Sequence, residues 1–241
     1  MARRRLAPPV AAGGAAGVKG AADSDPREGV VLLHGVALSG WVMRPLARAL
    51  GRAGYRVVNL GYPSRTMPAA QIADRWLPDA LRAHAVARAP RLHFVVHSLG
   101  SLVMRLHLRR RRPANLGRVV MLGPPNHGSA AADHASRNGF LRWLMGVNLG
   151  PLGTGAGSLA AQLGPADFEV GIIAGTGRLN PLFNGVLAGH RHDGVVTLES
   201  ARLEGMGDFL VVPHSHTAML WRSGVIAQVL AFLRDGRFAR P

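Results

Sequence analysis

The stretch Leu92-His93-Phe94-Val95-Val96-His97-Ser98-Leu99-Gly100-Ser101-Leu102-Val103 reads as a buried strand, a sharp turn with Ser98 at its tip, and the start of a helix. A serine held there is exposed where a buried strand ends, an arrangement that presents a nucleophile. The turn pattern asks for glycine two residues before the serine, and this chain has Val96. The residues on either side decide what that departure means.

Working outward, Gly29–His34 is another short, continuous apolar run and predicts a buried strand. Ser39 is placed to cap a helix carrying Val42, Leu46, Ala49 and Leu50 on one face, ended by Gly51 and Gly54. Tyr55–Leu60 is the next strand. A helical region from Pro68 to Arg88 follows, with a kink or split expected at Pro78. The helix after Ser98 is expected to run from Leu99 to Arg112, with Leu99, Leu102, Val103 and Leu106 inward and Pro113 as its stop. Its arginines, Arg105, Arg109 and Arg112 with Arg110 and Arg111 beside them, are expected on a solvated outer face. Val119–Leu122, Phe168–Ala174 and Phe209–Val212 are further strands. A last helix capped by Ser223 carries Val225, Ile226, Val229, Leu230 and Leu233. Strands alternating with helices argue for an α/β fold: a doubly wound, mostly parallel sheet with helices on both faces.

Asn126–Pro165 breaks the rhythm. It is Gly-rich and poorly periodic, with Phe140, Leu141, Trp143, Leu144 and Met145 clustered, as expected of a cap or lid inserted in the domain. Residues 1–28 open with an Arg run and turn Ala-, Gly- and Pro-rich, and read as a disordered tail before a single α/β domain at 29–241. The Arg run resembles the start of an export signal, but Leu6–Val18 is too weakly apolar to complete one. A cytoplasmic protein is the expectation, with export the lesser alternative.

Composition excludes several classes. The chain of 241 residues has no Cys, which removes disulfides, a Cys nucleophile and thiolate metal sites. The formal charge of +16 raises the question of an anionic partner. Its arginines are scattered, however, and aromatic residues make up only 5% of the chain, so specific nucleic-acid binding is not expected. Weak contact between the Arg105–Arg112 face and anionic lipid headgroups is the remaining alternative. His190, His192 and Asp193 read as a solvated loop in preference to a metal site.

A serine hydroxyl needs a base within hydrogen-bond reach, and the base needs an acid to hold its tautomer. In an open parallel sheet such groups gather beyond the carboxyl ends of the strands. That rule sets aside Asp167 and Asp208, which precede strands. It favours Asp193, in His192-Asp193-Gly194-Val195-Val196, over Glu199 and Glu204. Pro213-His214-Ser215-His216-Thr217 follows the last strand; His216 is preferred as base, with His214 the alternative. Two backbone N–H groups are placed to stabilise a developing oxyanion: Leu99 at the helix start and Val36 after His34-Gly35. His34 is expected to shape that loop, and His93 to be a satisfied core histidine.

Four motifs in this order resemble the α/β-hydrolase superfamily, in particular its lipase- and esterase-like serine hydrolases. They are Val31-Leu32-Leu33-His34-Gly35, Val96-His97-Ser98-Leu99-Gly100, Gly123-Pro124-Pro125-Asn126-His127-Gly128-Ser129, and His192-Asp193-Gly194-Val195-Val196 followed by Ser215-His216-Thr217. The third is similar to the Gly-x-Pro-x-x-Gly-Ser segment of bacterial lipases, and the Asp-Gly-Val-Val run to their catalytic-acid loop. The resemblance spans residues 29–235 and follows the family order Ser…Asp…His. It implies a carboxylic ester hydrolase working through an acyl-enzyme, without cofactor or metal, on a small-molecule or lipid ester, with Asn126–Pro165 over the site. The apolar residues of that segment point towards lipophilic acyl groups. Two alternatives stand beside it: a weak or inactive binding protein of the same fold, since Val96 departs from the motif, and an acyltransferase using the same three residues.

Overall fold

The computed structural model describes residues 26–178, 181–183 and 185–240. Most of the expected tail, residues 1–25, lies outside the described residues. Six strands form one sheet: β1 (Gly29–Leu33), β2 (Arg56–Leu60), β3 (Leu92–His97), β4 (Leu116–Leu122), β5 (Val170–Gly175) and β6 (Asp208–Val212). Their spatial order is β2-β1-β3-β4-β5-β6, and every pairing is parallel. The chain steps from β1 outward to β2, then returns to place β3 on the other side of β1. The order therefore reverses between β1 and β3, and a crevice opens at their carboxyl ends.

The strands read as unbroken apolar runs because both faces of the sheet are covered. Val30, Leu32, Val95, Val120 and Ile173 pack on one face with Leu46 and Leu50 of α1 (Arg44–Arg52) and with Val225, Val229 and Phe232 at the C-terminal end of the chain. Val31, Leu33, Phe94, Val96, Met121 and Ile172 pack on the other. There they meet Ile72 and Leu77 of the segment after β2, and Leu99, Leu102, Val103 and Leu106 of the helix after β3. The segment after β2 comprises α2 (Ala69–Gln71), a π-helical turn (Ile72–Trp76) and α3 (Leu77–Ala83). The expected break at Pro78 is displaced to that π turn. Pro78 has no N–H, and its ring would crowd the carbonyl of Asp74; the wider turn carries the chain past this point and leaves Pro78 in the first turn of α3.

The helix after Ser98, α4 (Leu99–Arg110), differs from the sequence reading. It is buried continuously from Leu99 to Leu108, so Arg105 does not lie on a solvated face. Arg105 donates to the side-chain oxygen of Asn126 and to the carbonyl of Gly164, pinning both ends of the 126–165 segment to the helix. Burial, then the neighbouring Arg109, lowers its pKa to about 10, which leaves it charged at neutral pH. Arg109 donates to the carbonyl of Gln162, and Arg110 and Arg112 pair with Asp74 and Asp167. Arg105 and Arg109 are thus tied to the 126–165 segment, whereas Arg110 and Arg112 keep exposed side chains beside their carboxylate partners.

The 126–165 segment contains α5 (Ala130–Ser136) and α6 (Gly139–Met145), each capped by the side chain before it, Ser129 and Asn138. After β5 the chain forms α7 (Leu198–Ala201) and finally α8 (Ser223–Asp235). The cap expected at Ser223 is not formed. The chain passes from a 3-10 turn at Ala218–Trp221 through one extended residue, Arg222, and Ser223 already lies inside the helix. Among the described residues, no helix is long and apolar enough to cross a membrane.

Candidate active site

Ser98 sits between β3 and α4 with φ 52° and ψ −121°, a left-handed conformation rare for a residue with a Cβ. Its N–H is held by the carbonyl of Leu122, which extends the β3–β4 ladder into the turn. The conformation forms with Val96 in the motif position. Val96 is fully buried, paired in register with Leu33 on one side and Met121 on the other. The close approach falls instead at Gly100, where an added Cβ would lie 2.7 Å from the carbonyl oxygen of Leu33. That contact seats α4 against β1 and aims Ser98 into the crevice.

Asp193 and His216, read from separate loops, meet. Nδ1–H of His216 donates to Oδ2 of Asp193 at 2.8 Å, and the His216 N–H donates to the Asp193 carbonyl at 2.9 Å. The other carboxyl oxygen accepts from the N–H groups of Val195 and Val196, at 3.0 and 2.8 Å. The carboxyl group is therefore fixed by three hydrogen bonds in a buried place. Gly123, at the end of β4 with φ 54°, makes room for the pair: a Cβ there would come within 2.9 Å of His216 Nδ1 and 3.1 Å of Asp193 Oδ2. With Nδ1 engaged, Nε2 of His216 is the ring atom left for other chemistry. His214 makes no such contact through its side chain; its carbonyl accepts from Gly177.

The loop after β1 is set by His34. Its Nδ1–H donates to the Gly35 carbonyl, its Nε2 accepts from the Tyr62 N–H, and its ring stacks on Tyr62 at 4.2 Å. Tyr62 in turn donates its hydroxyl to the His34 carbonyl at 2.6 Å. Burial lowers the His34 pKa against the opposing pull of the Gly35 carbonyl. His34 thus builds the loop that carries Val36. No described group accepts from the N–H of Val36, and the N–H of Leu99 belongs to the first turn of α4, whose donors have no partner within the helix. His93 is satisfied as expected, by Glu28 and by the N–H of Arg118.

Ser98, His216, Val36 and Gly35 line one cavity of about 470 Å³. Most of its remaining wall is apolar, with Ala131, Ala132 and Ala135 of α5, Leu141, Leu144 and Met145 of α6, and Leu149, Leu152, Leu182, Phe183, Val195 and Val196, while Arg65, His97, Ser129 and Thr217 add polar groups. Phe183 and Leu182, after β5, were not among the residues singled out from the sequence, nor was His97, which is buried against His216. Among the described residues no cluster of His, Asp and Glu is placed to hold a metal ion.

A parallel sheet with this strand order, a serine turn after β3, and an acid and a histidine after β5 and β6 make up the α/β-hydrolase fold. Solved structures agree. The chain is similar to the mature form of Bacillus licheniformis lipase BlEst2, with 20% identity and a TM-score of 0.63 over 86% of this chain and 89% of that one. It is 20% identical to the propeptide form, with a TM-score of 0.69 over 90% of this chain, and there it spans about half, 52%, of the longer protein. The metagenomic carboxyl esterase MGS0156 is 18% identical, with a TM-score of 0.64 over 81% of this chain and 66% of that one. At such identities the likeness speaks for the fold. No family model and no curated protein matches the sequence.

Proposed function

We propose that the protein is a serine hydrolase of carboxylic esters with lipophilic acyl groups. The observation that carries this reading is one cavity lined by Ser98, in its strained turn, and by His216, held at Nδ1 by Asp193. Ser98 Oγ attacks the acyl carbonyl as its proton passes to Nε2 of His216. The N–H groups of Val36 and Leu99 stabilise the oxyanion, and Asp193 the imidazolium. The C–O bond to the alcohol then breaks, and His216 returns the proton to the leaving oxygen. Water, deprotonated by His216, attacks the acyl-enzyme and releases the acid, restoring Ser98. The apolar walls from α5 and α6 accommodate the acyl chain, with α6 read as part of a cap. Leu182 of the cavity lining is exposed, and α6, whose Leu141 and Leu144 also line it, exposes Phe140 and Trp143, which suits a substrate delivered from a lipid phase.

Fluorophosphonate labelling tests the nucleophile. Wild type is expected to label and to release acid from p-nitrophenyl esters, whereas Ser98→Ala should do neither, with a loss of at least about a thousandfold in hydrolysis. Equal labelling of the two proteins would refute the assignment of Ser98. Labelling without acid release, restored by alcohol acceptors, would point to acyl transfer.

A further inference from the structure

The reaction just described gives no task to His97, although its ring lies at the centre of the site. It ends β3 immediately before Ser98 and is fully buried. Its Nε2–H donates to the main-chain carbonyl of His216 at 3.0 Å, and the two rings lie 4.7 Å apart. Its Nδ1 is buried with no hydrogen-bond partner. Gly35 packs against the same ring: a Cβ there would lie 2.9 Å from His97 Nδ1 and 3.1 Å from the Ser98 Cβ. One side chain therefore touches the nucleophile turn, the loop of the base and the loop of Val36.

Core packing alone would not select histidine at this position. An apolar ring would fill the space without leaving an unpaired nitrogen in a dry interior, a costly condition for a polar atom. What histidine supplies is the bond to residue 216. Burial first, then the closeness of His216, and more weakly of His34, hold its pKa well below the ordinary range, so the ring is neutral with its proton on Nε2. It can thus donate to the His216 carbonyl without adding a cation beside an imidazole that must itself become positive.

We propose that His97 is a positioning residue that locks the loop of His216 to the strand carrying Ser98. His216 is then held from two sides, its ring by Asp193 and its main chain by His97. This inference rests on Ser98 and His216 acting as nucleophile and base. Substrate binding in the apolar cavity does not use the bond, so its loss should appear in kcat and not in KM.

The test compares His97→Phe, which keeps a ring and removes the donor, with His97→Gln, which restores a donor near the Nε2 position. On p-nitrophenyl esters, His97→Phe should lower kcat at least tenfold with KM within twofold of wild type, and His97→Gln should recover kcat to within threefold. Should His97→Phe fail to fold, His97→Asn, too short to reach the carbonyl, takes its place with the same expectations. A donor-less variant with wild-type kcat, or an equal loss with Gln, overturns the proposal. Imidazole NMR separates this outcome from failure of the hydrolase reading. Whether or not the protein cleaves esters, the His216 Nδ1–H signal should exchange faster with solvent in His97→Phe and recover in His97→Gln. An unchanged signal in His97→Phe overturns the role of His97 even if Ser98 labels normally, whereas a wild type that does not label refutes the nucleophile.

Discussion

Ser98 holds a conformation with φ 52° that a Cβ makes costly, by roughly 1–3 kcal/mol. The cost is tolerated because the flanking residues leave no other path: Val96 is locked in the sheet, and Gly100 is pressed against Leu33. This has a measurable signature. Ser98→Gly and Ser98→Ala both remove the hydroxyl, but only glycine relieves the backbone. Ser98→Gly is therefore expected to be more stable than Ser98→Ala by about 1 kcal/mol in urea unfolding. Equal stability would mean that the turn is not strained. The turn and Asp193 were readable from local sequence, because a strand-ending serine and an Asp-Gly turn announce themselves within a few residues. His97 was not. Its partner is a carbonyl 119 residues away, and a main-chain acceptor leaves no mark in residue identity.

Among the elements, strands buried on both faces were the most legible: β3 matches its expected bounds at Leu92–His97. β4 begins at Leu116, earlier than the expected Val119, because Leu116 already pairs with Leu92, whereas Gly117 and Arg118 fall at a register shift before the Phe94–Val119 pair and interrupt the apolar run. The inward turn of Arg105 was hidden for another reason. Helical periodicity reports two faces, and α4 has no free one, since the 126–165 segment covers its outer side and is tied there through Asn126 and Gly164. The alanines that α5 turns to the cavity set the space left for substrate. Ala135→Phe should shrink that space and lower kcat/KM for long-chain esters by at least about tenfold relative to short ones. A uniform change across chain lengths would mean that the acyl group lies elsewhere.

For the whole molecule, five buried histidines matter among the described residues: His34, His93, His97, His107 and His192, the last buried where the sequence reading expected a solvated loop. In each, burial is the main cause of a pKa below the ordinary 6.5. The unfolded chain therefore takes up protons on these rings before the folded protein does. Their contribution to stability is complete above about pH 6.5 and is lost as the pH falls towards their folded values. Each ring lends stability a slope of up to about 1.4 kcal/mol per pH unit within its window. The urea midpoint should fall steeply from pH 7.5 to pH 5.5, above the range in which most carboxyl groups titrate. A flat midpoint would show that these rings are protonated in the fold.

The cavity is assembled from separate stretches of chain. The proposed reacting groups stand on the connections after β1, β3, β5 and β6, whereas α5 and α6 of the connection after β4 supply much of the apolar wall. Descendants of this chain could therefore exchange the α5–α6 stretch for another of different bore and alter their diet while the reaction itself stayed fixed. Selection has two handles here, and one can be turned without loosening the other.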